Sequence, residues 1–203
     1  MPKFPPTIAK FDIFDKFRDI ITWGSLDGFV VGGDAGYSVV PMGIMVGLET
    51  HTDINDSAYL LSDGYWVDLV QTGKVVTIEM VVNWLDWITN QDIMLALTER
   101  LFGIPYLGWR ISGADLYAIN HDGLLETSTD TGIDMINGNQ HTRLKMVFTP
   151  GQDIKFYVND VLKATHSTNL PNIVICGLYF TVTTLTNEFR DIGIGRVLIE
   201  REY

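Results

Sequence analysis

TRLKMVFTPGQDIKFYVNDVLKATHSTNLPN, residues 142–172, decides how the rest of the chain is read. Arg143–Phe148 reads as a strand, Thr149–Asp153 as a turn built on Pro150-Gly151, and Ile154–Val158 as the next strand. Asn159-Asp160 stands where a two-residue hairpin turn belongs, because both residue types tolerate the positive φ such turns require. Val161–Thr165 then returns. Two hairpins in about thirty residues, with no helical period between them, predict an antiparallel sheet.

The same grammar extends outward in both directions. Val75–Trp84 alternates Val75, Thr77, Glu79, Val81 and Asn83 with Val76, Ile78, Met80, Val82 and Trp84, the period of a strand with one wet face. Further strands are predicted at 29–31, 37–50, Ala58–Leu61, Tyr65–Val70, Ile93–Thr98, Gly108–Ser112, Leu116–Ile119, Val174–Thr184 and Ile192–Glu200. Turns fall at Ser25–Gly28, Ser62-Asp63-Gly64 and Asn120–Gly123, and the polar residues 126–140 read as a long surface loop. Residues 11–23 fit either a helix or a strand. Residues 1–10, with three prolines, read as an extended arm, leaving 11–203 as a single domain of about twelve strands.

Composition agrees. Val, Ile and Thr number 17, 20 and 19, against seven each of Ala, Lys and Glu. β-branched side chains suit a pleated, half-buried surface, whereas Ala, Lys and Glu fill helices. A chain of 203 residues buries an ample core without disulfide or metal. The single Cys176, inside NIVICGLYF, reads as a small buried hydrophobe and excludes a disulfide scaffold. Net charge −11 argues against nucleic-acid binding, which needs clustered Lys and Arg. No apolar run reaches the length of a membrane span, and MPKFPPTIAKFDIFDKF has no secretory-signal pattern. The expectation is a protein made in the cytoplasm without a signal peptide that works on a virion or another extracellular surface.

Taken together, FDIFDKF…W, MVGLETHTDINDSAYLLSDGYW, TIEMVV, the hairpin IKFYVNDVL followed by NLP, and the final RDIGIGRVLIE resemble the concanavalin A-like lectin/glucanase superfamily, in particular its phage- and virus-encoded members. The resemblance implies an all-β antiparallel β-sandwich, the concanavalin A-like jelly roll. It also implies that the last strand returns beside the first. It leaves function open, since that fold hosts lectins, hydrolases, lyases and structural modules.

Glycoside hydrolases of the superfamily carry Glu-x-Asp-x-x-Glu on one strand, which sets a nucleophile and an acid on either side of the scissile bond. Here Glu79 has Val81 and Trp84 at the other two positions. Glu49 and Asp53 are four residues apart, roughly 13 Å on a strand, too far for either stereochemical course. Asp53, Asn55 and Asp56 read instead as turn formers. The Gln-x-His and Tyr-x-Lys-x-Gly patterns of the lyase branch are missing as well, so no catalytic residue is assigned. His51, His121, His141 and His166 show no zinc spacing, and His121 and His166 read as solvated. The resemblance raises calcium, with Asp12, Asp15 and Asp191 as candidate ligands. Sugar rings stack on aromatic faces and their hydroxyls are fixed by Asp, Asn and backbone groups, which singles out Trp84, Trp87, Tyr106 and Trp109, with Asp86, as a candidate carbohydrate site. Sparse charge and high apolar content (mean hydropathy +0.14) also suggest contacts with copies of the chain or with other particle proteins. The leading expectation is therefore a non-enzymatic structural or surface protein of a particle, a virion (capsid decoration, fibre or spike subunit), with glycan-binding capacity. The alternatives are a free lectin module and, third, a glycan hydrolase or lyase.

Overall fold

The computed structural model describes residues 8–12, 29–33, 38–42, 45–50, 52–62, 74–83, 90–99, 105–135, 141–172, 176–188 and 190–202. Fifteen strands run through them: β1 Ile8–Asp12, β2 Phe29–Gly33, β3 Ser38–Met42, β4 Met45–Glu49, β5 Ser57–Ser62, β6 Val76–Asn83, β7 Gln91–Thr98, β8 Tyr106–Ser112, β9 Asp115–His121, β10 Glu126–Asp134, β11 Thr142–Thr149, β12 Asp153–Val158, β13 Val161–His166, β14 Gly177–Thr184 and β15 Asp191–Glu202. Among the described residues no helix is long and apolar enough to cross a membrane.

Two antiparallel sheets form a sandwich. Sheet I has eight strands in the order β13-β12-β11-β6-β15-β4-β3, with β1 also on β15; sheet II has seven, β10-β9-β8-β7-β14-β5-β2. The long β15 takes β4 along Asp191–Ile194 and β1 along Leu198–Glu202, on the edge opposite β6. The last strand therefore lies beside the first, as the resemblance implies.

Residues 142–172 fold as read. Gly151 (φ 72°), Asn159 (φ 48°) and Asp160 (φ 66°) take the positive φ values that the two turns need. In β6, Val76, Ile78, Met80 and Val82 are buried while Thr77, Glu79 and Val81 are partly exposed, the predicted alternation. Inward side chains of both sheets meet in one core that includes Leu48, Ile78, Met80, Leu95, Trp109, Phe148, Phe156 and Phe180. Cys176 belongs to it.

Three readings are corrected. The run 37–50 is two strands, β3 and β4, joined as a hairpin with Met42 opposite Met45; Pro41, which has no N–H to donate, sits on the sheet's edge strand. Ile8–Lys10, inside the span read as an arm, are paired in β1 with Glu202–Glu200. Residues 126–134, read as loop, form β10 on the edge of sheet II. Its inward positions are Thr127, Thr129 and Thr131, so the alternation is present but written in hydroxyls. The predicted strand Tyr65–Val70 and residues 1–7 and 13–28 lie outside the described residues.

Candidate functional site

Strands β8, β9 and β10 carry two polar groups, one on each face. Toward the core, Asn120 of β9 and His166 at the end of β13 join the two sheets. The Asn120 amide donates to the carbonyls of Thr168 (3.1 Å) and Asn169. That fixes its Oδ1 toward His166 Nδ1, which must therefore donate. In the neutral ring Nε2 then accepts from the Thr129 hydroxyl at 2.9 Å. Asn169 closes the set by donating to Thr127 Oγ1 at 3.0 Å. His166 is 3% exposed and lies 4.8 Å from the Phe156 ring, so it is a core residue and not a solvated one. Burial lowers its pKa from the usual histidine value.

The outer face of the same strands is charged. Tyr106 and Arg110 are four apart on β8 and flank Gly108 on one face. Tyr106, His121 and Glu126 lie in one cross-strand line. Arg110 grips Glu126 with both arms, Nη1 to Oε1 at 3.0 Å and Nη2 to Oε2 at 2.9 Å. The Tyr106 hydroxyl donates to Glu126 Oε2 and accepts a longer contact from Arg110 Nη2 at 3.4 Å. Side-chain exposures near 30% for Arg110 and Glu126 keep the pair within reach of a ligand. Burial, the hydrogen bond to Glu126 and that carboxylate's charge push the Tyr106 hydroxyl up to about 12. Burial raises the Glu126 carboxyl, but hydrogen bonds from Tyr106 and Arg110 outweigh it and leave the pKa lowered. Glu126 is thus an anion and Tyr106 a neutral donor at neutral pH.

Around this group the surface is partly apolar. Ala96, Tyr106 and Ile119 form a small second cluster outside the main core, with Met94 and Tyr117 against it. The His121 ring lies 5.2 Å from that of Tyr106, and its Nδ1 accepts the Gly123 N–H at 2.9 Å, which holds the ring in place. Glycine is required at 108: a Cβ there would lie 2.3 Å from the Leu95 carbonyl oxygen and 2.6 Å from the Ala96 Cα, both backbone atoms.

Of the two described residues expected at a sugar site, Tyr106 lies in this outer group, largely buried with its hydroxyl on Glu126, and Trp109 does not. Trp109 is corrected: it is 0% exposed, faces the other sheet and packs edge-on against Phe156 at 5.2 Å. A ring with no free face offers nothing to a sugar. Its Nε1, buried and without a hydrogen-bond partner among the described residues, shows the indole used as an apolar body. Trp84, Asp86 and Trp87 lie outside the described residues.

The calcium candidates are not brought together. Asp12 pairs with Leu198 and Asp191 with Glu49, which separates them by about 20 Å along β15; Asp15 lies outside the described residues. Among those residues no group of three or more His, Cys, Asp and Glu is placed to hold a metal. Glu79 is ion-paired with Arg143 at 2.6 Å. Asp53–Asp56 form the expected turn, with the Asp56 N–H on the Asp53 carbonyl at 3.0 Å and Asn55 at φ 69°.

Glu126 and Arg110 were not singled out in the sequence, and His166 was read as solvated. Period two was the available signal: Glu126, Ser128 and Asp130 share one parity, and Thr127, Thr129 and Thr131 the other.

No protein-family model matches the chain, and no curated protein matches it. Solved structures do. The Emp46p carbohydrate recognition domain is similar with a TM-score of 0.64 at 10% identity, over 87% of this chain and 89% of that one; a potassium-bound form of that domain gives 0.62. A protein of unknown function from Shewanella oneidensis MR-1 gives 0.63 at 11% identity, over 97% and 87%. The binding domain of botulinum neurotoxin serotype G gives 0.56 at 12%, over 84% of this chain and 42% of that one. At these identities the likeness is one of fold: the chain is an all-β sandwich of the kind that this carbohydrate recognition domain and this neurotoxin binding domain share.

Proposed function

We propose that this chain is a non-catalytic carbohydrate-binding β-sandwich of the concanavalin A-like type, with its binding surface on the outer face of β8–β10. One observation carries the reading: Arg110, Glu126 and the Tyr106 hydroxyl fix one another's donor and acceptor roles by mutual hydrogen bonds, with the partly exposed Tyr117 and His121 beside them on the same face. Sugar recognition needs such a surface, where aromatic rings take the apolar face of a pyranose and oriented polar groups take its hydroxyls. The carbohydrate recognition domains among its structural neighbours support the same reading. Trp87 is a further stacking candidate, to be tested by its own Ala variant. A glycan array tests the proposal. The wild-type chain is expected to retain a defined set of glycans, and an Arg110→Ala/Tyr117→Ala variant to lose at least about tenfold in apparent affinity, the factor that one good polar contact commonly supplies. Unchanged retention by the double variant rejects this surface.

A second reading concerns where the domain works. Leu124 and Leu125 at the β9–β10 turn are 87% and 63% exposed, and Val161 and Leu162 on the edge strand β13 are 56% and 50% exposed. Exposed apolar side chains at a hairpin tip and on a sheet edge favour display on a particle, such as a virion, with contacts to copies or neighbours. Light scattering of the purified chain, with and without EDTA, reads this out: an oligomer supports it, an EDTA-sensitive one adds calcium, and a monomer of about 23 kDa (mass 22.8 kDa) counts against it.

A further inference from the structure

We infer that Glu126 fills, from within the chain, a carboxylate receptor formed by Arg110 and Tyr106, and so restricts the β8–β10 face to uncharged glycans. This rests on the carbohydrate reading for the place of the ligand, but the receptor itself stands on geometry. A guanidinium presenting two parallel N–H groups is the standard partner of a carboxylate, and here both are taken, at 3.0 and 2.9 Å, by the two oxygens of one side chain. The Tyr106 hydroxyl adds a third donor to the same Oε2. Three donors converging on one carboxylate is what an acidic sugar, such as a sialic acid, would otherwise find.

The neighbours reinforce the exclusion. Arg110 is the only Lys or Arg whose position in β5, β7, β8, β9, β10 or β14 puts it on the outer face. The acids on that face are Asp92, Asp115, Glu126, Asp130 and Asp134, by parity with the buried positions of their strands. A ligand carboxylate therefore meets a cation that is already neutralised, inside a ring of like charge. A neutral sugar meets no such penalty, and Glu126, its anionic oxygens fixed in place, serves as an acceptor for sugar hydroxyls. Removing the Glu126 carboxylate reverses the preference, because Arg110 and the Tyr106 hydroxyl lose the acceptor that takes all three of their converging donors, and Asp92 acts on Arg110 only through its charge.

The experiment uses the full chain as wild type, Glu126→Ala and Glu126→Gln, followed by NMR at the Arg110 guanidinium and the Tyr106 and His121 amides. The probes are sodium acetate, lactose and 3′-sialyllactose. The Ala variant is expected to bind acetate and the sialylated probe at least about tenfold more tightly than wild type, with shifts at Arg110 and no gain for lactose. The Gln variant, whose amide still occupies the space without the charge, is expected to gain less, and it carries the test if the Ala variant does not fold. Equal acetate and sialyllactose affinities in all folded forms overturn the inference, and so does a wild type that prefers the sialylated probe. If wild type retains no glycan on an array, the carbohydrate reading fails by itself, and the acetate titration still decides whether Glu126 occupies a carboxylate receptor.

Discussion

The two faces of β8–β10 carry polar clusters of similar size that do opposite work. On the inner face, Asn120, His166, Thr129, Thr127 and Asn169 are neutral and mutually satisfied, and they bridge sheet I to sheet II. On the outer face, Arg110, Glu126 and Tyr106 are held just as firmly, but Arg110 and Glu126 are charged and in reach of water. Burial makes the difference. A polar group in the core loses its solvation and must be fully paired, so deleting one member strands the others. A half-exposed ion pair exchanges water for a partner at little net gain. Stability is accordingly expected to depend on the inner cluster and ligand binding on the outer one.

That division is open to direct attack. Trp109→Ala, on the inner face, removes the largest side chain among the fully buried ones; the cavity should cost about 4 kcal/mol in chemical denaturation, and a change below about 1 kcal/mol would show that the ring is not packed between the sheets. Asn120→Ala strands the His166 Nδ1 donor and removes the donor to the Thr168 and Asn169 carbonyls, with an expected loss of about 3 kcal/mol. The pH dependence has a definite sign. His166 has a lowered pKa when folded, so below the unfolded value of about 6.5 the unfolded chain takes up the proton first. Stability from this group is complete above about 6.5 and declines as pH falls toward the lowered value. His166→Gln should remove that part of the acid dependence of Tm, and an identical pH profile in the variant would break the assignment. Smallest is Arg110→Ala on the outer face, which should change stability by less than about 1 kcal/mol; a larger loss would mean that the outer cluster is structural after all.

Legibility followed the same line between faces. The hairpins β11–β12 and β12–β13 were readable because turn chemistry is local: Pro150-Gly151 and Asn159-Asp160 impose their geometry on whatever strands flank them. Trp109 was misread although its parity was in view. Leu107, Trp109 and Ile111 share one face of β8 while Arg110 and Ser112 share the other, and the first set is the buried one. Strand β10 was hidden for a physical reason. Two of its inward threonines, Thr127 and Thr129, are satisfied by residues 168–169 and His166, some forty positions away, and the buried Thr131 by the Leu116 carbonyl on the neighbouring strand. No local window contains that compensation. The outer group escaped notice likewise, since Tyr106, Arg110 and Glu126 meet only once β8, β9 and β10 are in register.

The most direct test of the outer-face assignment is amide chemical-shift mapping of the wild-type chain, titrated with the glycan it retains best on an array. The account predicts saturable shifts centred on Tyr106, Arg110, Tyr117, His121 and Glu126, with the buried Asn120–His166 cluster unmoved. Shifts confined to another surface, such as the turns at 52–56 and 184–188, would contradict it.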